Sequence, residues 1–478
     1  MKKSVIYISS NHDCYLYADK YNLSMLIHPE LVNIIQGKSK DTYYSGKLKY
    51  LIRYGFFKSS YCDFATTIDE SIVEDGIIHT KQIVFEVTNS CNFRCKYCVQ
   101  GELYEIGGRD NPKKININAA FKLLRYVFDL KLKYNHKKIT VSFYGGEPLA
   151  NFESIKEIVD YIENNYSDSE LEVNYLMTTN ASLIRNHIQY LVKHNFKLMI
   201  SLDGDRYNDS YRVFHSNNEE TFDAVTENID LIRNSYPCYF ESNVEFNSVI
   251  HNRNSVEEIY NYIIEKYGKI PKISELSVEN LSNSEIDNFE RIFKSKRKSE
   301  NDFLLSESRL KDKVHKDSIK YRETIDYLKY YSINSCISDV RSLINNEVLS
   351  YPTNTCLPFS KKIFMDVSGN LYPCEKVYKK HKLGAVNDVV EINSKYIVDK
   401  LSYYYKDLKK VCCNCYINKF CGVCIFMNNI DPDNRRNNIC DKFQDEKSFK
   451  EKLNRVFSFI ENSPNDFKEI LENTIITI

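Results

Sequence analysis

Three cysteines lie close together in the segment Cys91-Asn-Phe-Arg-Cys95-Lys-Tyr-Cys98. Three thiolates can bind three irons of a cubane [4Fe–4S] cluster and leave its fourth iron without a protein ligand. Such an open iron can bind a substrate or a cofactor, whereas a fully ligated cluster mainly transfers electrons. A structural zinc site usually needs four ligands, and the sequence offers no fourth ligand nearby. A disulfide framework does not fit a chain without a secretory signal. The spacing therefore favours an iron–sulfur cluster with an open iron.

The elements around these cysteines follow a regular alternation. The preceding segment, 82–88, is rich in β-branched and aromatic residues and predicts a strand. Later predicted strands are 138–144, 171–177, 197–202, 239–246 and 273–278, and the predicted helices are 116–128, 152–162, 184–194, 221–233 and 256–267. This pattern predicts an α/β fold with six β/α units in an open barrel. The working site of a β/α barrel lies at the C-terminal ends of its strands, which is where the three cysteines fall.

The second predicted strand ends in Tyr144-Gly145-Gly146-Glu147. Glycines there let a ligand approach the backbone, and a following carboxylate can bind an ammonium group, although an ordinary turn is the alternative. With the cysteine spacing and Tyr97 before the last cysteine, this motif resembles the radical S-adenosylmethionine (radical SAM) superfamily. The resemblance implies a partial (β/α)6 TIM-like barrel, a [4Fe–4S] cluster that binds S-adenosylmethionine, and generation of a 5′-deoxyadenosyl radical. It also implies that Gly145, Gly146 and Glu147 hold the cofactor's amino group.

Further polar strand ends match the superfamily in order. Residues 177–183, Met-Thr-Thr-Asn-Ala-Ser-Leu, resemble a Thr-Asn-Gly-Thr-Leu segment with alanine in place of glycine. Ser201-Leu-Asp203-Gly resembles a segment whose serine lies near the ribose. Arg212 is a candidate partner for the cofactor carboxylate, because arginine suits bidentate carboxylate binding. The resemblance thus implies cofactor contacts for Tyr97, Ser201, Asp203 and Arg212. Capping of the following helices by these polar strand ends is the alternative.

A second group of seven cysteines comprises Cys356, Cys374, Cys412, Cys415, Cys421, Cys424 and Cys440. Their spacing resembles the SPASM domain, a C-terminal extension that binds two auxiliary [4Fe–4S] clusters. The resemblance assigns the outer cluster to Cys412, Cys415, Cys421 and Cys440, and the inner cluster to Cys356, Cys374 and Cys424. The fourth position of the inner cluster is open to substrate or taken by Cys413 or Cys336. A rubredoxin-like or zinc-ribbon site within 412–424 is the alternative.

Residues 1–80 contain two or three predicted strands followed by helices. Before a SPASM enzyme, this pattern resembles the winged-helix element that binds a leader peptide as an added strand. The resemblance implies a maturase of a ribosomally made peptide that forms a thioether or carbon–carbon crosslink or epimerises a residue. Its partners would be the precursor peptide with its leader and an electron donor such as ferredoxin or flavodoxin. A purely stabilising N-terminal domain is the alternative.

Two other functions stay open at this point. Anaerobic sulfatase-maturing enzymes, which form formylglycine, typically carry a catalytic aspartate after the second SPASM cysteine. This chain has Glu375 at that position, so Glu375 is the candidate catalytic base, with a solvated turn residue as the alternative. A non-catalytic zinc-binding or electron-carrying adaptor is a function of another class.

Composition and length limit these functions. Among 478 residues, 65 Lys and Arg balance 65 Asp and Glu, so no overall charge favours nucleic acid or an acidic membrane surface. No stretch approaches about 20 consecutive apolar residues, so we expect a cytoplasmic protein without a membrane partner. The expected domains are a peptide-recognition domain at 1–80, a radical SAM core at 81–281, a helical connector at 282–350, a SPASM domain at 351–445 and C-terminal helices at 446–478.

Overall fold

The structure is a computed structural model of the chain. It describes residues 4–475 apart from 60–61, 63, 106–111, 279, 307–309, 311–318, 333–350, 354, 378–380, 427–439 and 441–442. Cys336, one candidate for the fourth position of the inner cluster, lies outside the described residues. Within the described ranges, no helix is both long enough and apolar enough to cross a bilayer.

The described elements are mixed α and β. The strands are β1 (Val5–Ile8), β2 (Cys14–Ala18), β3 (Leu23–Leu26), β4 (Gln82–Thr88), β5 (Lys138–Gly145), β6 (Glu172–Thr179), β7 (Lys197–Ser201), β8 (Val244–Ile250), β9 (Lys272–Glu275), β10 (Ile363–Met365), β11 (Asn370–Tyr372), β12 (Gly384–Val386) and β13 (Val390–Ile392). The α-helices are α1 (Pro29–Ile35), α2 (Thr42–Arg53), α3 (Glu70–Ile78), α4 (Ile117–Lys133), α5 (Phe152–Tyr166), α6 (Ile188–Lys193), α7 (Phe222–Ser235), α8 (Pro237–Asn243), α9 (Val256–Tyr267), α10 (Ile286–Ile292), α11 (Lys296–Leu305), α12 (Ile319–Tyr330), α13 (Ser394–Asn414), α14 (Glu446–Asn462) and α15 (Pro464–Ile475).

The chain forms two compact units. The first, which we call the terminal unit, comprises Met1–Ile68, Lys313–Thr355 and Asp399–Ile478. The second, which we call the barrel unit, comprises Asp69–Asp312 and Cys356–Val398. The three-cysteine segment belongs to the barrel unit, and the last five cysteines of the second group belong to the terminal unit.

The barrel unit is built on one sheet with the order β13-β12-β11-β10-β4-β5-β6-β7-β8-β9. Strands β4 to β9 lie in sequence order and pair in parallel, and at least one helix lies in each connection between them. This arrangement confirms the α/β fold class with six parallel strands. The carboxyl ends of all six strands therefore lie at one edge, where the predicted site is expected.

Side-chain burial alternates along β6, β7 and β8. On β6, Tyr175, Met177 and Thr179 are buried, whereas Leu176 and Thr178 are only half-buried. Successive strand residues point to opposite faces, so one sheet face is fully covered and the other stays partly open. The covered face is apolar, as expected for a sheet under amphipathic helices such as α4 and α5.

One predicted strand is partly wrong. The segment 239–246 begins as helix α8, and strand β8 starts only at Val244. Pro237 occupies the first helical position, where its missing amide costs no hydrogen bond. The helix buries both Tyr239 and Phe240, and the Tyr239 hydroxyl donates to the Phe196 carbonyl at 2.5 Å. Successive side chains of a strand would point to opposite faces of the sheet. In helix α8, by contrast, the adjacent side chains of Tyr239 and Phe240 both reach the core.

Four short strands extend the sheet beyond the predicted barrel. Strand β10 pairs in parallel with β4, and β10 to β13 continue as an antiparallel meander. Each has three residues, which is too short to give a periodic pattern in the sequence.

The terminal unit contains an antiparallel sheet in the order β1-β2-β3. One face packs on α1 and α2, where Leu16, Leu31 and Leu51 share a buried cluster. The other face packs on helices near the carboxyl end, where the rings of Tyr17 and Phe449 lie 5.4 Å apart. The sheet is therefore covered on both faces.

Candidate active site

The three-cysteine loop follows β4 directly and is fixed by backbone hydrogen bonds. Arg94 N donates to Val213 O at 2.8 Å, and Lys96 N donates to Tyr211 O at 3.0 Å. Phe93, between the first two cysteines, is fully buried against Phe214 with ring centroids 5.3 Å apart. The loop is thus held along the segment that follows β7, at the carboxyl edge of the sheet.

The three thiols influence one another. Burial raises the pKa of Cys95 to about 12, with further contributions from Cys98 and Cys91. Phe93 N and Asn180 Nδ2 lie 3.4 and 3.9 Å from the Cys91 sulfur, and both can donate to it. A bound metal deprotonates a coordinating thiol outright, so these amides would then stabilise a thiolate. The donor set fits an iron–sulfur cluster held by the loop.

The described residues contain no group of three His, Cys, Asp or Glu side chains that could hold a single metal ion. A cubane cluster sets a different requirement, because each thiolate binds its own iron.

Gly145 and Gly146 lie in direct contact with the backbone of the cysteine loop. A Cβ on Gly145, whose φ is +142°, would lie 2.1 Å from Thr88 O, and one on Gly146 would lie 2.1 Å from Ser90 O. Gly146 N donates to Thr88 O and the next amide donates to Ser90 O, both at 2.9 Å. The two glycines therefore let strand β5 approach the start of the loop, which the ligand-binding interpretation of this motif did not include.

The Glu147 carboxylate accepts three hydrogen bonds and connects the end of β5 with the end of β6. Its side chain is buried, and Oε1 accepts from Thr179 Oγ1 at 2.7 Å and from Leu149 N at 3.1 Å. Oε2 accepts from Asn180 N at 2.7 Å. Burial raises the pKa of Glu147 although these donors and Arg212 lower it. An ionised carboxylate has about four acceptor positions, so Oε2 keeps capacity for one ammonium donor.

Tyr97, Asp203 and Arg212 form one buried cluster. The Tyr97 hydroxyl donates to Asp203 Oδ2 and accepts from an Arg212 Nη atom at 3.0 Å. Asp203 Oδ1 accepts from Val249 N at 2.8 Å, and its backbone N donates to Asp209 Oδ1 at 3.0 Å. The sequence prediction gave these three residues cofactor contacts, and the structure shows that their polar groups bind one another.

The cluster sets the charge of its carboxyl groups. Burial raises the pKa of Asp203, but hydrogen bonding to His251 and the Arg212 charge outweigh it, so the pKa is lowered overall. Burial raises the pKa of Asp209 well above its ordinary value. The Arg212 charge acts to lower the pKa of both carboxyl groups, and its Nε lies 3.7 Å from Asp209 Oδ1.

His251 and Asp209 belong to this cluster and were missed from the sequence. The His251 side chain is fully buried, and its ring centroid lies 5.6 Å from that of Tyr97. His251 Nδ1 accepts from Arg253 N at 3.2 Å, and Nε2 lies 3.8 Å from Asp203 Oδ2. A lone histidine after a strand and an aspartate in a loop give no pattern that singles them out.

Ser201 ends β7 and is half-buried, in register with Asn247 of β8. The side chain of Asn247 accepts from the Ser274 hydroxyl at 3.1 Å. These residues line the open face of the sheet at its carboxyl edge. Ser201 is thus placed where a ligand above the strand ends could reach it.

Glu375 lies beside β11 in the barrel unit. Its Oε1 pairs with Lys362 Nζ at 2.7 Å, and the side chain is 16% exposed. Burial raises the pKa of Tyr144, and the charges of Cys98 and Glu375 raise it further. Both residues are therefore close enough to act on the Tyr144 hydroxyl. The candidate base therefore lies near the residue that precedes Gly145.

Four cysteines of the second group line one cavity in the terminal unit. Cys412, Cys415, Cys421 and Cys440 surround it together with Asn418. Burial raises the pKa of Cys412 to about 12, and the other three thiols raise it further. The chemistry of this donor set fits the outer auxiliary cluster.

The ligands expected for the inner cluster are divided between the two units. Cys356 and Cys374 belong to the barrel unit and Cys424 to the terminal unit, so this ligand set stays a prediction. Cys413 is paired with Cys62 in a disulfide, with Cα atoms 5.7 Å apart. The thiol of Cys413 is therefore not available as the fourth inner ligand in this structure.

Comparison with known proteins identifies part of the chain. The family model for the radical SAM superfamily matches residues 85–263, which span the cysteine loop, the Gly-Gly-Glu motif and the Asp203 cluster. These residues form a radical SAM domain. Proteins with this domain use a [4Fe–4S] cluster and S-adenosylmethionine.

Curated relatives resemble the radical SAM domain in sequence. A radical SAM cyclopropyl synthase of Paramaledivibacter caminithermalis is 26% identical over 231 residues, 44% of this chain and 46% of that protein. A cysteine-type anaerobic sulfatase-maturating enzyme of Clostridium novyi is 26% identical over 187 residues, 38% of this chain and 46% of that protein. The chain spans about half the length of these relatives.

A solved structure extends the likeness beyond the radical SAM domain. Native anSMEcpe with bound AdoMet and the Kp18Cys peptide has a TM-score of 0.52 at 18% identity, over 83% of this chain and 99% of that chain. At this identity, the likeness shows a shared fold.

Proposed function

We propose that this chain is a radical SAM enzyme that modifies a ribosomally made precursor peptide. The observation that carries the proposal is the contact between the cysteine loop and the Gly145-Gly146 turn at the carboxyl edge of the sheet. The modification is a thioether or carbon–carbon crosslink or an epimerisation. Ferredoxin or flavodoxin is the proposed electron donor, and the cytoplasm the proposed location.

The chain's own residues have separate roles in this proposal. Cys91, Cys95 and Cys98 hold a [4Fe–4S] cluster, and Glu147 and the Gly145-Gly146 backbone hold the amino group of S-adenosylmethionine. Together these cofactors supply a 5′-deoxyadenosyl radical by reductive cleavage of the sulfonium. Ser201 is the proposed contact to the ribose.

The Asp203 cluster adds a positioning role to the proposed site. The Arg212 guanidinium has five N–H donors, so it can bind the cofactor carboxylate while one Nη atom keeps its bond to Tyr97. Tyr97 and Asp203 orient this guanidinium and the cysteine loop. This orienting role does not require Tyr97 or Asp203 to contact the cofactor.

The second cysteine group supports a peptide substrate. Four thiols around one cavity suit an outer auxiliary cluster, and the fold is shared with a protein solved with a bound peptide. Cys356, Cys374 and Cys424 are the proposed ligands of an inner cluster. Auxiliary clusters add electron-transfer capacity beside a radical-generating site.

Formylglycine formation in a sulfatase is the second candidate. It is favoured by the placement of Glu375, whose charge contributes to the raised pKa of Tyr144, the residue before the Gly145-Gly146 turn. In this alternative, Glu375 is the base that removes a proton from the substrate, and Lys362 holds its carboxylate. Incubation with a sulfatase-derived peptide and mass spectrometry distinguishes the two candidates, because formylglycine formation leaves a single aldehyde and no crosslink.

Anaerobic reconstitution tests the proposed chemistry. We expect about twelve irons per chain with matching sulfide, and formation of 5′-deoxyadenosine from S-adenosylmethionine under reducing conditions. Cys95→Ala should abolish deoxyadenosine formation, whereas Cys238→Ala, at an exposed thiol outside both groups, should not. Zinc with negligible sulfide would instead support a non-catalytic adaptor.

A further inference from the structure

Helix α2 carries an exposed stripe of aromatic and basic side chains. Tyr43, Lys47, Tyr50 and Tyr54 follow one another at helical spacing, so they share one face. The three tyrosines are 62%, 58% and 50% exposed. We call these four residues the tyrosine stripe. The opposite side of the helix, including Leu51, packs into the sheet core.

The side chains of the tyrosine stripe contact one another in two pairs. Lys47 Nζ lies 4.7 Å from the centroid of the Tyr43 ring. The rings of Tyr50 and Tyr54 have centroids 4.4 Å apart. Exposed tyrosines lose little conformational entropy on binding, which is why they are enriched at protein interfaces.

The surroundings of the tyrosine stripe are basic. Residues 37–58 contain six basic side chains and one acidic one, Asp41. The Asp41 carboxylate caps α2 by accepting from Tyr44 N at 2.9 Å. Lys20 and Lys58 both come within 3.4 Å of the Cβ position of Gly55, next to the last tyrosine of the stripe. The stripe is thus complementary to negative charge.

The edges of the nearby sheet are partly occupied, which disfavours strand addition there. At the β1 edge, Ile8 N donates to Asn454 Oδ1 at 3.2 Å, and Ser10 N donates to Ser458 Oγ at 2.8 Å. At the β3 edge, the Tyr327 hydroxyl interacts with the backbone of Ser24. A peptide that joined either edge as a strand would have to displace these contacts.

We propose that the tyrosine stripe binds an acidic amphipathic segment of the precursor peptide, which rests on the proposed function. The stripe covers positions 43–54, about 16 Å along the helix axis, or three turns of a helical partner. Acidic side chains of the segment pair with Lys47 and Arg53, and its apolar side chains pack on the tyrosines.

The ring contacts favour a peptide over a single-stranded nucleic acid. Base stacking requires open ring faces. Here Lys47 lies over the Tyr43 ring, and Tyr50 and Tyr54 pack on each other. Each tyrosine ring thus already has one contact within the stripe, which leaves less ring face for stacking than free rings would offer.

Fluorescence anisotropy with the full reconstituted chain tests the proposal. The probes are two labelled amphipathic peptides of about 18 residues, one built from Leu, Ala and Glu and one with Lys in place of Glu. We expect the acidic peptide to bind at least about tenfold more tightly than the basic one, and its affinity to fall as salt is raised. The double variant Lys47→Glu with Arg53→Glu, and separately Tyr50→Ser, should each weaken binding by about tenfold.

A matched pair in the barrel unit serves as control. Lys133 Nζ lies 5.3 Å from the ring of Tyr134, which is 50% exposed. Lys133→Glu and Tyr134→Ser should leave binding unchanged.

Three results would overturn the docking proposal: absence of acidic-peptide binding, equal binding of both peptides, or unchanged binding by the stripe variants. A short single-stranded oligonucleotide is tested as a competitor beside unlabelled acidic peptide. If the oligonucleotide displaces the labelled peptide at a lower concentration than the unlabelled peptide does, the proposal is overturned in favour of nucleic acid. Deoxyadenosine formation without peptide is measured on the same samples. If the wild type forms no deoxyadenosine, the proposed function is refuted. The docking proposal is then still decided by the binding measurements alone.

Discussion

At the scale of single residues, the site depends on close approach and on buried carboxylates. The sequence predicted a ligand-binding turn at the glycine pair. The structure adds that the start of the cysteine loop occupies the space that a side chain at either glycine would need. Glu147 was found in the same motif, but its bonds to Thr179 and Asn180 were not foreseeable. Those bonds join residues more than thirty positions apart, and local spacing carries no information about them.

Gly146→Ala should displace the cysteine loop. The new methyl group would lie 2.1 Å from Ser90 O, a backbone atom that cannot move without the loop. We expect a loss of about 1–3 kcal/mol in unfolding free energy and a reduced iron content at the first cluster. Gly46→Ala in α2 is the control, because its Cβ meets no atom within 4 Å and alanine favours the helix. Equal iron content in both variants would contradict the role of this contact.

Glu147→Gln should change how stability depends on pH. The pKa of Glu147 is raised from its ordinary value of 4.5 by burial, so the folded chain keeps a proton that the unfolded chain has lost. The contribution of this carboxyl therefore falls as pH rises above 4.5 through the raised pKa. Urea unfolding across this range should show a steeper fall for wild type than for Glu147→Gln. The exposed Glu157→Gln on α5 is the charge control, and identical slopes in all three proteins would refute the prediction.

At the scale of elements, periodicity predicted the six β/α units because each strand and helix buries one regular face. It failed where elements are short or not periodic. Strand β3 and strands β10 to β13 have three or four residues each, and α8 buries two adjacent aromatic residues. The cluster around Asp203 joins the cysteine loop to the ends of β7 and β8, and only the folded sheet brings these segments together.

Tyr97→Phe should loosen the cysteine loop. It removes the hydroxyl that bonds Asp203 and Arg212, and leaves both charged groups buried with one partner fewer. We expect a loss of about 1–3 kcal/mol in unfolding free energy and an altered electron paramagnetic resonance (EPR) spectrum of the first cluster. Tyr239→Phe is matched, since it removes a buried hydroxyl bonded to Phe196 O away from the loop. It should lower stability without altering that spectrum, and a spectral change in Tyr239→Phe alone would contradict the assignment.

At the scale of the whole molecule, the chain's two ends meet in one unit. The sequence showed an N-terminal group of strands and a C-terminal group of cysteines, without a signal that they share a core. Lys419, between Cys415 and Cys421, bonds Asp19 Oδ1 at 2.8 Å and also reaches Asn22. These partners are about 400 positions apart in the sequence. The loop of the proposed outer cluster is thereby tied to the β2–β3 turn.

Lys419→Met should weaken that tie. Asp19 is only 3% exposed, so loss of the ammonium leaves a buried carboxylate with less compensation. We expect a loss of about 1–3 kcal/mol in unfolding free energy and a lower iron content at the outer site, with deoxyadenosine formation at the first site retained. The exposed pair of Lys450 and Glu446 gives the control, and Lys450→Met should have little effect. Normal outer-site iron in Lys419→Met would show that the tie is not needed for assembly.

The proposed function requires that the cluster held by Cys91, Cys95 and Cys98 has one iron open to S-adenosylmethionine. Its most direct test is the EPR spectrum of the reduced, anaerobically reconstituted chain before and after addition of S-adenosylmethionine. We predict a clear change in the cluster signal in the wild type and its absence in Cys95→Ala. An unchanged wild-type spectrum on a fully reconstituted sample would contradict the account.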